Sequence, residues 1–155
     1  MEIEIRRAIL ADSGVIAEFN RAMARETEGL ELDAERVSAG VQAVLNDPAK
    51  GAYWVAVHDG ELAGQLLLTY EWSDWRNGVF WWVQSVYVRP DARRRGVFGR
   101  LYQHVREQAA ADPSVCGIRL YVEEHNRLAQ DTYLRQGMKR TRYLVFEEDF
   151  VLRRS

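Results

Sequence analysis

The chain has 155 residues, 21 Lys+Arg against 23 Asp+Glu for a formal net charge of −2, and 47% hydrophobic residues. That length suits one domain spanning 1–155, with enough apolar content to fold without disulfide or metal staples, and its near-balanced charge excludes a protein that coats nucleic acid by bulk attraction. The single cysteine, Cys116, excludes an internal disulfide, and His58, His104 and His125 show no zinc-ligand spacing, so no metal is expected.

Ile3 and Ile5 alternate with charged residues over 2–6, the period of a half-buried strand and not the basic-then-apolar pattern of a secretory signal. Val15, Ile16, Phe19 and Met23 then recur at helical spacing behind Asp12 or Ser13 as the capping residue. The polar stretch Arg25–Leu32 reads as a loop. A second helix starts near Asp33, carries Val37, Val41, Val44 and Leu45 on its apolar face, and stops before Pro48.

From Ala52 the period changes to two. Tyr53–His58 and Glu61–Tyr70 flank an Asp59-Gly60 hairpin turn, and after a polar interval Val79–Val88 forms a further strand ended by Pro90. Val97, Leu101 and Val105 mark a helix terminated at Asp112-Pro113. Strand Gly117–Val122, a helix from Asn126 to about Gln136 closed by Gly137, and a final strand Arg142–Glu147 complete the chain. A hairpin meander joined to one β-α-β crossover predicts a mixed sheet in an α+β or α/β, sandwich-like fold. No apolar run is long enough to span a bilayer, so a cytoplasmic protein with no membrane partner is expected.

The most informative stretch is Val86–Leu101, where a strand passes through Arg93-Arg94-Arg95-Gly96 into a helix. The first amides of a helix lack intrahelical acceptors, glycine admits close backbone approach, and arginine adds charged donors, so this arrangement suits a pyrophosphate. A solvated arginine run is the plainer reading, but position within strand-turn-helix favours the phosphate site. There is no G-x-G-x-x-G, which argues against a dinucleotide fingerprint.

This stretch resembles the acetyl-coenzyme A signature of the GNAT superfamily of N-acetyltransferases: Arg or Gln, two residues, Gly, one residue, then Gly or Ala. Here it falls on Arg93, Gly96 and Phe98, with Gly99 adjacent. A second resemblance lies in Leu120-Tyr121-Val122 followed by Asn126, Ala129, Tyr133 and Gly137-Met138. Taken alone, Asn126 could be only a helix cap and Tyr133 only a core aromatic.

The resemblance implies a mainly antiparallel mixed sheet flanked by about four helices and an enzyme that moves acetyl directly from acetyl-coenzyme A to a primary amine. It assigns cofactor binding to Val86, Val88, Arg93, Arg94, Arg95, Gly96, Val97, Phe98, Gly99 and Asn126, with backbone amides around Val86–Val88 stabilising the developing oxyanion. Tyr133 would protonate the departing thiolate. Some relatives carry a glutamate where this chain has Gln84, so the amine's proton falls to another carboxylate or to water, with Glu26 and Glu28 the candidates. A noncatalytic acyl-coenzyme A sensor is the rival reading, favoured by Phe98 and Gln84. An amine-bearing acceptor and no nucleic acid are the expected partners, with a homodimer possible by analogy.

Trp72, Trp75, Trp81 and Trp82 cluster before the phosphate turn. Trp81 and Trp82 must face opposite sides of a strand, which leaves one free to line a subunit contact or a cleft suited to a cationic or amphipathic amine. Cys116, just before an apolar strand, reads as a small packing residue and not as an acyl-carrying nucleophile.

Overall fold

A computed structural model describes residues 1–152, which fall into two compact units, Met1–Tyr121 and the segment from Val122 onward. The first holds β1 (Glu4–Arg7), α1 (Ser13–Glu28), α2 (Ala34–Asn46), β2 (Ala52–His58), β3 (Glu61–Ser73), β4 (Gly78–Val88), α3 (Val97–Ala111) and β5 (Val115–Arg119). The second holds α4 (Arg127–Arg135). The sheet runs in the order β1-β2-β3-β4-β5, antiparallel throughout except for the β4–β5 pair, which is parallel and joined through α3. The fold is therefore α+β with a mixed, mostly antiparallel five-stranded sheet and four helices among the described residues. None of these helices is long and apolar enough to cross a membrane.

Alternation along the strands sends side chains to two cores. On one face Leu66, Leu68 and Val83 pack with Val97, Leu101 and Val105 of α3. On the other, Tyr53, Val55, Leu67 and Tyr87 meet Ile16 and Phe19 of α1 and Val41 of α2. Burying each such aliphatic side chain stabilises by roughly 1.5–3 kcal/mol, and this is what holds the helices on the sheet.

Four expectations change. Arg25–Glu28 are helical, not loop: Gly29 sits at φ 60°, and the amides of Gly29 and Leu30 return to the carbonyls of Arg25 and Ala24. That left-handed cap lets α1 continue through an exposed polar turn whose composition mimics a loop. β3 extends to Ser73, because Glu71–Ser73 pair with Gly78–Phe80 and only Asp74–Asn77 turn. β5 covers Val115–Arg119, starting and ending earlier than the 117–122 expected. Residues 142–147 form no strand among the described residues and are exposed.

Asp12 does not cap α1 through its side chain. Its carboxylate instead accepts from Arg6 Nη1 at 2.8 Å and Nη2 at 3.1 Å and from the Ile9 amide at 2.8 Å, tying β1 to the entry of α1. The Arg6 hydrogen bond holds the Asp12 carboxyl below its ordinary range, against the opposing effect of burial. A folded-state pKa below the unfolded one contributes stability that is present above the unfolded value and lost as pH falls through the folded value. Asp12→Asn should therefore cost about 1–3 kcal/mol at neutral pH. It should also flatten the acid-side loss of stability, as measured by urea unfolding at pH 7 and pH 3.

Candidate active site

β4 is the strand on which the site is built. Between Gln65↔Tyr87 and Leu67↔Gln84 it carries one more residue than β3, which places a bulge at Ser85–Val86. Ser85 stands at φ 50°, outside ordinary strand geometry. Gln65, fully buried, donates from Nε2 to the Ser85 carbonyl at 3.1 Å and to Asn20 Oδ1 at 2.8 Å, and Asn20 donates onward to the Tyr53 hydroxyl at 3.2 Å. A polar chain in an apolar core thus holds the bulge in place.

The other edge of β4 also changes character. Its parallel pairing with β5 ends at Trp82↔Arg119, so among the described residues Val83–Val88 have no ladder partner on that side while still bonded to β3. β5 itself ends there, and β4 runs on to the turn before α3. Backbone groups without a ladder partner can receive an extended ligand as an added strand would be received.

That turn has the form the phosphate reading requires. Arg94 has φ 63° and Gly96 φ 78°, and no side chain caps the first turn of α3. A Cβ added at Gly96 would meet nothing within 4 Å, so the cradle is open, though its left-handed backbone still favours glycine. Arg94, Arg95 and Gly96 are exposed, Phe98 and Gly99 half-buried, and Val97 buried in the core beneath. The Phe98 ring turns to Tyr102, with centroids 5.9 Å apart. Uncapped amides, positive-φ residues and exposed guanidinium groups fit a diphosphate.

Arg93 is differently placed. Its Nε donates to the Val88 carbonyl at 2.9 Å, and its Nη2 pairs with Glu26 Oε2 at 2.7 Å. Tyr87 donates to the other oxygen of Glu26 at 3.3 Å, and Arg93 lies over the Tyr87 ring at 5.3 Å. Burial raises the Tyr87 phenol, with the Glu26 charge adding to the shift and Arg93 opposing it. Glu26 thus links the last turn of α1 to the phosphate turn, while Glu28 is exposed two residues further on.

Beside Gln84, whose amide donates to Thr69, the same sheet face carries a polar and aromatic group. Glu71 accepts from Arg119 at 2.8 Å and from the Trp82 indole at 3.3 Å, and Trp82 meets the Tyr121 ring at 5.9 Å. Trp81 packs into the α3 core, as alternation requires. Cys116 is half-buried on β5, and His104 meets the Trp54 ring with centroids 4.6 Å apart and planes tilted by 57°.

In the second unit Asn126 caps α4, its Oδ1 accepting from the Ala129 amide at 3.1 Å. Tyr133 is half-buried, and burial raises its phenol above the ordinary value, so it keeps its proton at neutral pH.

Gln65, Tyr87, Glu71 and Arg119 were not singled out from sequence. Glu71 and Arg119 gain meaning only once β3 is known to reach Ser73. Gln65 carries a signal that could have been read: an amide in an otherwise apolar alternating strand requires a partner.

Comparison with known proteins agrees with this architecture. Residues 16–138 match the family described as the acetyltransferase (GNAT) family, and the chain belongs to it. It is 28% identical over 136 residues to an uncharacterized N-acetyltransferase, YhfO, of Bacillus subtilis (strain 168), covering 87% of this chain and 89% of that protein. The crystal structure of a possible acetyltransferase from Clostridium difficile 630 superposes with TM-score 0.90 and 42% identity over 98% of this chain and all 100% of the other. A predicted acetyltransferase from Clostridium acetobutylicum, solved with acetyl-CoA, shares the fold at TM-score 0.77 and 14% identity, covering 95% of this chain and 96% of that one.

Gln65→Leu keeps the volume of the side chain but strands the Ser85 carbonyl and Asn20 Oδ1 without their donor. It should lower stability by about 1–3 kcal/mol in guanidinium unfolding. Leucine in place of exposed Glu28 should change it by less than about 0.5 kcal/mol.

Proposed function

We propose that this chain transfers acetyl from acetyl-coenzyme A directly to a primary amine of a small molecule, peptide or protein. The end of the β4–β5 ladder at Trp82, four residues ahead of Val86 and followed by the uncapped turn before α3, is the observation that carries the reading. When bound, acetyl-coenzyme A supplies an activated thioester carbonyl.

Arg94, Arg95 and the amides of Gly96, Val97, Phe98 and Gly99 hold the diphosphate. Val86 and Val88 offer backbone groups to the arm, and the amides around Val86–Val88 receive the charge that develops on oxygen. Asn126 orders the start of α4 and contributes to the arm. Arg93 acts mainly by joining Glu26 to the end of β4, because its Nε and Nη2 already bond the Val88 carbonyl and Glu26.

Tyr133 donates a proton to the leaving thiolate. Its phenol keeps its proton at neutral pH, as a donor must. Glu28 draws an ammonium and relays its proton, and Glu26, held by Arg93 and Tyr87, adds its charge to the same end of α1. Trp82 beside Glu71 suits a cationic or amphipathic acceptor. Gln84, four residues before Val88, cannot accept a proton at neutral pH, so the carboxylates of α1 take that task.

Thiol release from acetyl-coenzyme A over a panel of amines tests the reading. Amine-dependent release is the expected result, and tight cofactor binding without it would instead support the sensor. Within the enzyme, Tyr133→Phe should lower kcat about 10²–10⁴-fold with little change in cofactor affinity. Replacing Arg94 and Arg95 together by alanine should weaken coenzyme A binding at least about tenfold, or about 1.4 kcal/mol, by calorimetry. Glu28→Gln should raise the KM for the amine more than that for the cofactor.

A further inference from the structure

Gln65 is fully buried in the middle of β3, and both hydrogens of its amide are engaged: Nε2 donates to the Ser85 carbonyl at 3.1 Å and to Asn20 Oδ1 at 2.8 Å. Asn20, buried on α1, is fixed in turn by its donation to the Tyr53 hydroxyl at 3.2 Å. A flipped Gln65 amide would set Oε1 against two acceptor oxygens, so its orientation is determined. Oε1 itself is buried with no hydrogen-bond partner among the described residues. A side chain kept only to fill the core would carry no such orphan, since leucine has nearly the same volume and no acceptor to leave unpaired. The amide is retained for what its nitrogen holds, and at the bulge that is the Ser85 carbonyl.

That carbonyl belongs to the peptide joining Ser85 to Val86, the two residues of the bulge. The carbonyl and the amide of a trans peptide lie in one plane and point in opposite directions, and no peptide among the described residues is cis. Whatever holds the Ser85 carbonyl therefore aims the Val86 amide. With Ser85 at φ 50°, this plane is turned out of regular strand geometry, a conformation that persists in a residue other than glycine only where its surroundings impose it. Gln65 is the buried side chain that bonds the plane from within the core.

We propose that Gln65 is a positioning residue for acetyl transfer: by holding the Ser85 carbonyl it aims the Val86 amide at the thioester carbonyl, while Asn20 and Tyr53 fix the direction of the Gln65 amide. The inference rests on the acetyl-transfer reading, in which amides around Val86–Val88 receive the charge that develops on oxygen. All three side chains act through the backbone and not by contact with the substrate. A preorganised donor is effective only while it cannot turn away from the place where charge develops, and a bulge disrupts the ladder that would otherwise restrain the peptide plane. The buried chain supplies that restraint from a core where water does not compete for its members.

Infrared difference spectra of bound acetyl-coenzyme A, isotope-labelled in its thioester carbonyl, test it, because a hydrogen bond to that carbonyl lowers its stretching frequency. Circular dichroism confirms folding of each variant. The band should lie at higher frequency in Gln65→Leu than in the wild type, and between the two in Tyr53→Phe. By calorimetry Gln65→Leu should bind acetyl-coenzyme A about three- to tenfold more weakly, yet bind coenzyme A, which has no acetyl carbonyl, within about twofold of the wild type. With an amine that supports turnover, kcat should fall at least about tenfold while the KM for the amine is unchanged. A merely structural residue would weaken both forms of the cofactor alike and leave the band in place, and that result overturns the proposal. Should Gln65→Leu not fold, an unmoved band in Tyr53→Phe overturns it instead. A wild type that binds no acetyl-coenzyme A overturns the acetyl-transfer reading itself, whereas a wild type that binds and transfers acetyl with a band indifferent to Gln65 overturns this inference alone.

Discussion

Two departures from regular pairing on β4 organise this molecule. The extra residue at Ser85–Val86 bulges the strand against β3, and the end of β5 opposite Trp82 leaves its other edge without a ladder partner among the described residues. A regular sheet would satisfy every backbone group of an interior strand and leave nothing for a ligand. Here the strand is held from one side only, over the stretch that runs into the phosphate turn. The buried Gln65–Asn20–Tyr53 chain gives the bulge a fixed position by hydrogen bonding its carbonyl from within the core.

A second set of contacts ties the surrounding helices to that strand. Glu26 at the end of α1 holds both Arg93 and Tyr87, and Tyr87 packs on Phe19 of the same helix with centroids 5.0 Å apart. Arg89, just beyond β4, pairs with Glu61 at 3.2 Å and Asp91 at 2.9 Å. Arg100 in the first turns of α3 reaches the Ile3 carbonyl at 2.9 Å. Exposed ion pairs contribute little stability individually, but several that converge on one turn set its geometry. The acidic end of α1 and the phosphate turn are thereby parts of one structure.

Most of the architecture was legible in the pattern of residues. The Asp59-Gly60 hairpin, the Val97–Leu101–Val105 stripe and the arginine-glycine turn each depend on local chemistry, and each formed where expected. Two misreadings share a cause. The last turn of α1 and the outer part of β3 lie on exposed surface, where polar residues remove the periodic signal although the backbone pattern continues. The missing strand at 142–147 differs, because an apolar run announces burial without saying which surface will bury it.

Within the site the same division holds. The uncapped turn at Arg93–Gly99 could be found from sequence because glycine, arginine and a following apolar helix act over a few residues. The sequence by itself determined the order of elements, the two apolar faces and the place of the arginine-glycine turn, since these follow from short-range periodicity and local backbone preference. Only the tertiary structure decided that Arg93 faces Glu26, that Gln65 supports Ser85 and that Glu71 meets Arg119. Those partners lie 67, 20 and 48 residues apart, and only the register of paired strands and the docking of α1 bring them within hydrogen-bond distance.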